Sequence, residues 1–173
     1  MRNKILPSNA EIVVKKSKFI KNQFGILVKK SIKKGQSIFT VKGPIKNKPT
    51  KYSFSFSLTE HIEPKRNDGS SDFGHYLNHS CDPNTKLKQA FSKIKNPYIK
   101  VIARRNIWVG EELTFDYASW EYRITADKVK CRCGSKICRR VLCGFKDLPE
   151  NFVQKYKKEG MIPKYLLDLR KKM

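Results

Sequence analysis

Hydrophobic positions in this chain fall into short runs, not long stripes. EIVV at 11–14, GILV at 25–28 and QSIFTV at 36–41 are brief β-prone segments separated by polar turns, the pattern of short strands. SIKKG at 31–35 reads as a turn ending in Gly35. KYSFSFSL at 51–58 alternates: Tyr52, Phe54, Phe56 and Leu58 share one face, and Ser53, Ser55 and Ser57 share the other. TKLKQAF (85–91) and PYIKVIA (97–103) read as a strand pair joined by SKIKN, KRNDGSSD (65–72) as a loop, and GEELTFDY (110–117) as a further strand entered from a glycine turn. Near the end the period changes. LPENFVQKYKKEG (148–160), with Pro near its start and Gly at its end, and PKYLLDLRKK (163–172) predict two short helices. No internal repeat is present. The expected architecture is a mostly β body, a cysteine-rich knot and a small helical tail.

A chain of 173 residues is long enough for one domain with a real core, and 11% aromatic residues can build it despite 31% charged ones. No apolar run approaches the roughly 18 residues that would suggest a membrane span. The stretch MRNKILPSNAEIVVKK lacks the apolar block of a signal peptide, so the expectation is an intracellular protein in a reducing compartment, with no membrane partner. The net charge of +23 is unevenly spread: residues 1–50 carry thirteen Lys/Arg against Glu11 alone. Acids gather instead at Glu60, Glu63, Asp68, Asp72 and Asp82. A basic surface of this kind attracts polyanions: DNA, RNA or an anionic membrane. The plainer alternative is a coat of solvated lysines, because along the sequence no Arg-rich or aromatic-interleaved patch stands out.

Four of the five cysteines sit within residues 131–143, and in a reducing compartment that clustering favours metal ligation over disulfides. CRCGSKIC (131–138) spaces Cys131, Cys133 and Cys138 as C-x-C-x4-C, with Gly134 and Ser135 supplying a tight turn. Three thiolates leave a tetrahedral zinc site one ligand short. Cys143 could complete it locally, or Cys81 could complete it from upstream. The other reading is a set of buried free thiols.

GHYLNHSCDPN (74–84) packs amides, imidazoles, a thiol and a carboxylate into one run, and core filling calls for no such mixture. Cys81 as a nucleophile would need an imidazole within reach. His79 is only two residues away, and His61 and His75 are the remaining histidines. Asp82-Pro83 favours a turn, but this leaves the Asn78-His79 pair unexplained.

NHSCDPN (78–84), GEELTFDY (110–117) and CRCGSKIC (131–138), in that order, resemble SET-domain protein lysine methyltransferases with a C-terminal post-SET cysteine module. FGILVKKSIKKGQSIF (24–39) is similar to that family's opening segment, and the resemblance covers about residues 10–147. It implies small β-sheets around a pseudoknot, arranged as a SET domain over 1–127, a post-SET zinc module over 128–146 and a helical tail over 147–173. It implies S-adenosylmethionine as methyl donor, held by Phe24, Gly25, Tyr76, Asn78, His79, Tyr117 and Leu142, and a structural zinc held by Cys81, Cys131, Cys133 and Cys138. Tyr117 is expected to orient the acceptor amine, with Phe115 beside it and Tyr52 as a second active-site hydroxyl. In this family a Phe at position 115 leaves room for an amine that is already methylated. The sequence departs from the pattern at Gln23, where a Gly is usual, at His75, where an Arg is common, and at Arg140, where a Gly is common. The expected function is lysine N-methylation, reaching di- or trimethyl-lysine, of a basic or nucleic-acid-associated protein such as a histone, nucleoid or ribosomal protein. In a eukaryote the place would be chromatin. The competing readings are a non-catalytic zinc knuckle that binds nucleic acid, and a degenerate SET protein without turnover.

Overall fold

The short apolar runs become short strands, and the two C-terminal stripes become helices. The computed structural model describes residues 10–20, 22–65, 72–92, 96–124 and 129–172. Asp68, most of the 65–72 loop, the centre of SKIKN, and Arg2, Lys4 and Lys21 lie outside the described residues. In chain order the strands are β1 (Ile12–Lys16), β2 (Phe24–Val28), β3 (Ser37–Val41), β4 (Ile45–Lys46), β5 (Phe54–Ser55), β6 (His61–Ile62), β7 (Asn78–His79), β8 (Thr85–Phe91), β9 (Pro97–Ala103) and β10 (Glu112–Phe115). They form three small sheets, ordered β1-β2-β10-β7, β3-β9-β8 and β4-β6-β5. Helices α1 (Glu150–Lys158) and α2 (Lys164–Arg170) follow, each preceded by a proline at its N-cap.

Alternation decides the inner faces. Ile12 and Val14 of β1, and Ile99, Val101 and Ala103 of β9, are buried at every second position and meet in one core. A second cluster packs α1 and α2 through Val153, Tyr156 and Leu166 onto Ala118 and Phe145. Among the described residues no helix is long and apolar enough to cross a membrane.

The 51–58 segment departs from its alternating pattern. Only Phe54 and Ser55 are in a strand, and both are buried, whereas Tyr52 is 40% and Leu58 55% exposed. Local turn chemistry is the cause. Thr50 Oγ1 accepts from the Tyr52 and Ser53 amides, and Ser57 Oγ accepts from the Thr59 and Glu60 amides. Of the serines on the second face of the pattern, Ser57 bends the chain after β5, as Thr50 does before it, and only Ser55 stays in the strand.

The sheet that positions the site is built by a crossing. β7 pairs in parallel with β10, Asn78 opposite Thr114 and His79 opposite Phe115. The chain after β7 then passes along β10. Asn84 Nδ2 donates to the Glu112 carbonyl at 2.9 Å, the Thr114 amide donates to Asn84 Oδ1 at 2.9 Å, and Thr85 Oγ1 donates to the Thr114 carbonyl at 2.9 Å. Asn84 thus acts as a piece of strand made from a side chain, and this stitches two segments thirty residues apart.

Candidate active site

β10 and β7 carry the central residues, and the parallel register sends alternate side chains to opposite faces of the pair. On one face Asn78 Nδ2 donates to the Phe24 carbonyl at 2.9 Å and to Glu112 Oε1 at 2.7 Å. Glu112 is buried and also accepts from Ser17 Oγ and the Lys18 amide, so one carboxylate ties β10, β7 and the chain leaving β1 together. Gly25 packs against it. A Cβ there would stand 2.2 Å from Glu112 Oε1, so a side chain at this position would break the arrangement.

On the other face the rings gather. Phe115 is buried, stacks on Phe54 with centroids 5.5 Å apart, and lies 4.8 Å from the Tyr117 ring. His79 meets Tyr117 edge-on at 5.1 Å, and the Tyr117 amide donates to His79 Nδ1 at 3.2 Å. Tyr117 Oη points to the Leu77 carbonyl at 3.4 Å. Burial, and next the Glu121 charge, push the Tyr117 phenol well above its ordinary range, so it is a protonated donor at any working pH. Burial lowers His79 to about 4, against a smaller opposing influence from Asp116, so the imidazole is neutral at pH 7.

Phe24 and Tyr76 lie at the edge of this sheet with ring centroids 6.3 Å apart, Phe24 being 43% exposed. Tyr76 Oη is buried without a hydrogen-bond partner. An orphan hydroxyl beside a half-exposed ring fits a polar, partly aromatic ligand better than it fits a finished core. Tyr52 joins this row and not the Phe115–Tyr117 pair: its ring stacks on His75 at 3.7 Å, and His75 meets Tyr76 edge-on at 5.3 Å. A cleft of about 450 Å³ opens nearby, between Lys18, Phe19, Glu112, Asp82 and the Cys133–Ser135 turn; Phe24, Tyr76, His79 and Tyr117 do not line it.

The sulfur cluster sits directly behind His79. Sγ of Cys81, Cys131 and Cys133 and a ring nitrogen of His79 all lie within 4.8 Å of one another. Cys81 and Cys131 sulfurs are 3.8 Å apart. Two thiolates at about 2.3 Å from a tetrahedral zinc stand about 3.8 Å from each other, so the spacing fits the ion. Backbone amides point at the sulfurs: Cys81 N–H to Cys133, Arg139 N–H to Cys81 and Arg140 N–H to Cys138, each at 3.4 Å. Burial would raise Cys133, but hydrogen bonds from the Cys81 amide and Ser135 hold its thiol at about 6; burial pushes Cys131 up to about 12. Cys138 lies just outside the tight group, its Sγ 3.7 Å from the Cys131 carbonyl, while Leu142 packs against the cluster. Cys143 packs with the helical tail instead.

Two clusters escaped sequence reasoning. Asp116, fully buried, accepts both arms of Arg139 at 2.7 Å and Tyr156 Oη at 2.8 Å, and Tyr156 Oη also reaches the Cys81 carbonyl at 3.2 Å. Ser55 Oγ bridges His61 Nδ1, at 3.1 Å, and the Glu121 carboxylate. Neither shows in the sequence, because the carboxylate of each is brought from more than twenty positions away, Asp116 to Arg139 and Glu121 to Ser55. Only the side-by-side TFDY tetrapeptide hinted that Asp116 belonged with Tyr117.

Residues 23–118 match the SET domain family. The chain belongs to the SET-domain family. Its relatives include histone-lysine N-methyltransferase Su(var)3-9 of Drosophila pseudoobscura pseudoobscura, 34% identical over 104 residues that cover 53% of this chain and 16% of that protein. SUV39H2 of Xenopus tropicalis is 35% identical over 83 residues, covering 39% of this chain and 20% of that protein. Trithorax of Drosophila virilis is 40% identical over 67 residues, covering 39% of this chain and 2% of that protein. The chain thus spans a fifth or less of the length of each of these relatives. A solved structure of KRYPTONITE in complex with mCHH DNA, H3(1-15) peptide and SAH shares the fold, with a TM-score of 0.59 at 23% identity over 75% of this chain and 29% of that one. The SET segment includes the crossing of β7 and β10 and the Phe115–Tyr117 pair.

Proposed function

We propose that this SET-domain chain is an S-adenosylmethionine-dependent protein-lysine N-methyltransferase. The observation that carries the reading is the half-buried Tyr117, its ring packed between those of Phe115 and His79 on the strand crossing of the matched SET segment. Bound S-adenosylmethionine supplies a methyl group on an electrophilic sulfonium. Everything else is the work of the chain. Tyr117 Oη orients the acceptor amine. Phe115 and Phe54 wall it off from water, and loss of hydration lowers a lysine pKa from its usual value of about 10.4 toward the neutral, nucleophilic form. Orientation of this kind is the largest saving available to a simple in-line displacement.

On this reading Phe24, Gly25, Tyr76, Asn78, His79, Leu142 and the ring of Tyr117 hold the donor, and the orphan Tyr76 hydroxyl takes one of its polar groups. Tyr52, stacked on His75, lines the approach and does not touch the amine. Cys81, Cys131, Cys133 and Cys138 hold a structural zinc that adds rigidity and no open coordination position. The chain divides into a catalytic body over 1–127, a metal module over 128–146 and a tail over 147–173. The acceptor is a lysine of a basic or nucleic-acid-associated protein, such as a histone, nucleoid or ribosomal protein. A +23 chain repels a free cationic tail, so it meets its acceptor on nucleic acid, with the lysines of residues 1–50 on phosphates; in a eukaryotic cell that is chromatin.

Phe115 leaves space for methylated amines, and the product extends to di- or trimethyl-lysine. Incubation with excess donor and nucleosomes or fractionated extract, read by mass spectrometry, tests this. Wild type should add two or three methyl groups and Phe115→Tyr should stop at one. A wild type that stops at monomethyl-lysine overturns the product assignment.

A further inference from the structure

The structure brings together an aromatic and lysine patch that is not contiguous in the sequence. Trp108 and Val109 are 61% and 62% exposed, at the tip of the turn that enters β10. The tip is rigid. Ile107, fully buried, exchanges two 2.9 Å backbone hydrogen bonds with Ile32. Gly110 adopts φ +84°, and its amide donates to the Val28 carbonyl at 2.8 Å. The Trp108 amide donates to Glu111 Oε1 at 2.7 Å, and Glu111 is gripped in turn by Arg105. None of these bonds uses the indole, and most of a large ring is left in water here.

The same bridge fixes what stands beside it. The 29–34 turn is held against the 104–110 turn by the Ile32–Ile107 pair and by the Lys34 amide, which donates to Asn106 Oδ1 at 2.9 Å. Lys29, Lys30, Lys33 and Lys34 are exposed along that turn, and Lys18 Nζ lies 3.7 Å from where a Cβ would sit on Gly110. Glu111 is paired with Arg105, and Glu11, whose carbonyl accepts from the Lys29 and Lys30 amides, is the acid beside the 29–34 turn, so Lys18, Lys29, Lys30, Lys33 and Lys34 leave the patch net cationic beside an exposed indole.

We infer that this patch is a nucleic-acid contact in which the lysines of the 29–34 turn bind backbone phosphates and the Trp108 indole stacks on an unpaired or unstacked base. The inference rests on the nucleic-acid reading above and assigns the surface that carries it. The charge disfavours a cationic partner at this surface, and an exposed planar ring on a turn bridged to the lysine-bearing 29–34 turn suits bases, whose faces stack without regard to sequence. Trp108 and Trp120 are the only tryptophans, and Trp120 is 1% exposed, so nucleic acid binding should quench the exposed-indole emission selectively.

The test is titration of the full chain with a labelled single-stranded 20-mer and its duplex across a salt series. Trp108→Ala should weaken single-strand binding roughly five- to hundred-fold with the salt slope unchanged. Lys33→Ala with Lys34→Ala should lower that slope by about 1.4, the value for two phosphate contacts on a single strand. Lys157→Ala with Lys158→Ala, on the exposed face of α1, should change neither. Salt-dependent binding by wild type that both patch variants keep would remove the surface assignment and leave the nucleic-acid reading intact. Binding that is absent, or indifferent to salt, in wild type removes both. Concentration-dependent self-association abolished by Trp108→Ala would make the occupant a second copy and overturn the inference.

Discussion

Arg139 of the cysteine module grips Asp116 with both guanidinium arms at 2.7 Å, one residue before Tyr117. The pair is deeply buried, at 9% and 0% side-chain exposure, and Arg139 also lies over the Phe152 ring at 5.2 Å. Its own amide donates to Cys81 Sγ, and His79 closes the circuit from Cys81 back to the Tyr117 amide. The cysteine module, the helical tail and the residue expected to meet the amine therefore share one buried anchor.

Breaking that anchor on one side leaves a buried charge without its partner. Arg139→Met should destabilise the fold by about 3–5 kcal/mol. Arg139→Lys should recover only part, because an ammonium cannot form the two-armed contact. Thermal unfolding of the zinc-loaded protein, with zinc content measured alongside, reads both. A loss below about 1 kcal/mol for Arg139→Met would mean that the pair is replaceable by packing.

Arg140 sits at φ +65°, a left-handed conformation that costs an ordinary residue roughly 1–2 kcal/mol and glycine very little. Its side chain is exposed, so Arg140→Gly removes little packing. The variant should be more stable by about 1 kcal/mol in denaturant unfolding, and an unchanged midpoint would contradict the strain.

The fourth metal ligand can be read by elimination. Cys81→Ser, Cys131→Ser and Cys133→Ser should each lose zinc. Cys138→Ser should do the same if the ligand set is all sulfur, while His79→Asn keeps the metal and loses methyl transfer. Cys143→Ser should retain full zinc by elemental analysis. Zinc lost from His79→Asn and kept by Cys138→Ser would move the imidazole, already in the tight group, into the ligand set.

His61 and Glu121 give stability opposite slopes with pH. Burial lowers the His61 pKa below 6.5 in the folded protein, so the unfolded chain binds the proton first and stability is lost as pH falls from about 6.5 toward the lowered value. Burial raises Glu121 above 4.5 against the Ser55 hydrogen bonds, so its protonated form is favoured by folding and its contribution is lost as pH rises through the raised value. Denaturation between pH 7.5 and 4.5 should be flatter for His61→Asn than for wild type, and steeper for Glu121→Gln. Parallel curves for all three proteins would rule out both shifts.

Much of the fold was legible because its strands are local events. Ile12 and Val14, and the alternating Ile99, Val101 and Ala103, declared their inner faces along the chain. So did the two helices, marked by Pro149, Gly160 and Pro163. The alternation over 51–58 survives only at Phe54 and Ser55, because Thr50 and Ser57 spend their hydroxyls on turns, which an alternating pattern does not show. At the site, Asn78, His79, Phe115 and Tyr117 could be named from the motifs. The role of Asn84 could not: its amide works as a strand against Glu112 and Thr114, a pairing that exists only once β10 has passed beside it. The Asp116–Arg139–Tyr156 hub and the Trp108 patch were invisible for the same reason.

The most direct measurement is transfer of labelled methyl from S-adenosylmethionine to a lysine-bearing acceptor by the zinc-loaded chain, with Tyr117→Phe and Cys81→Ser run beside it and donor binding followed calorimetrically. Wild type should bind the donor and label lysine. Tyr117→Phe should keep the donor and lose at least about ten-fold in rate, equal to one hydrogen bond of about 1.4 kcal/mol in the transition state. Zinc-loaded wild type that takes up no donor, or that binds it and labels no lysine in any basic protein offered, would contradict the account.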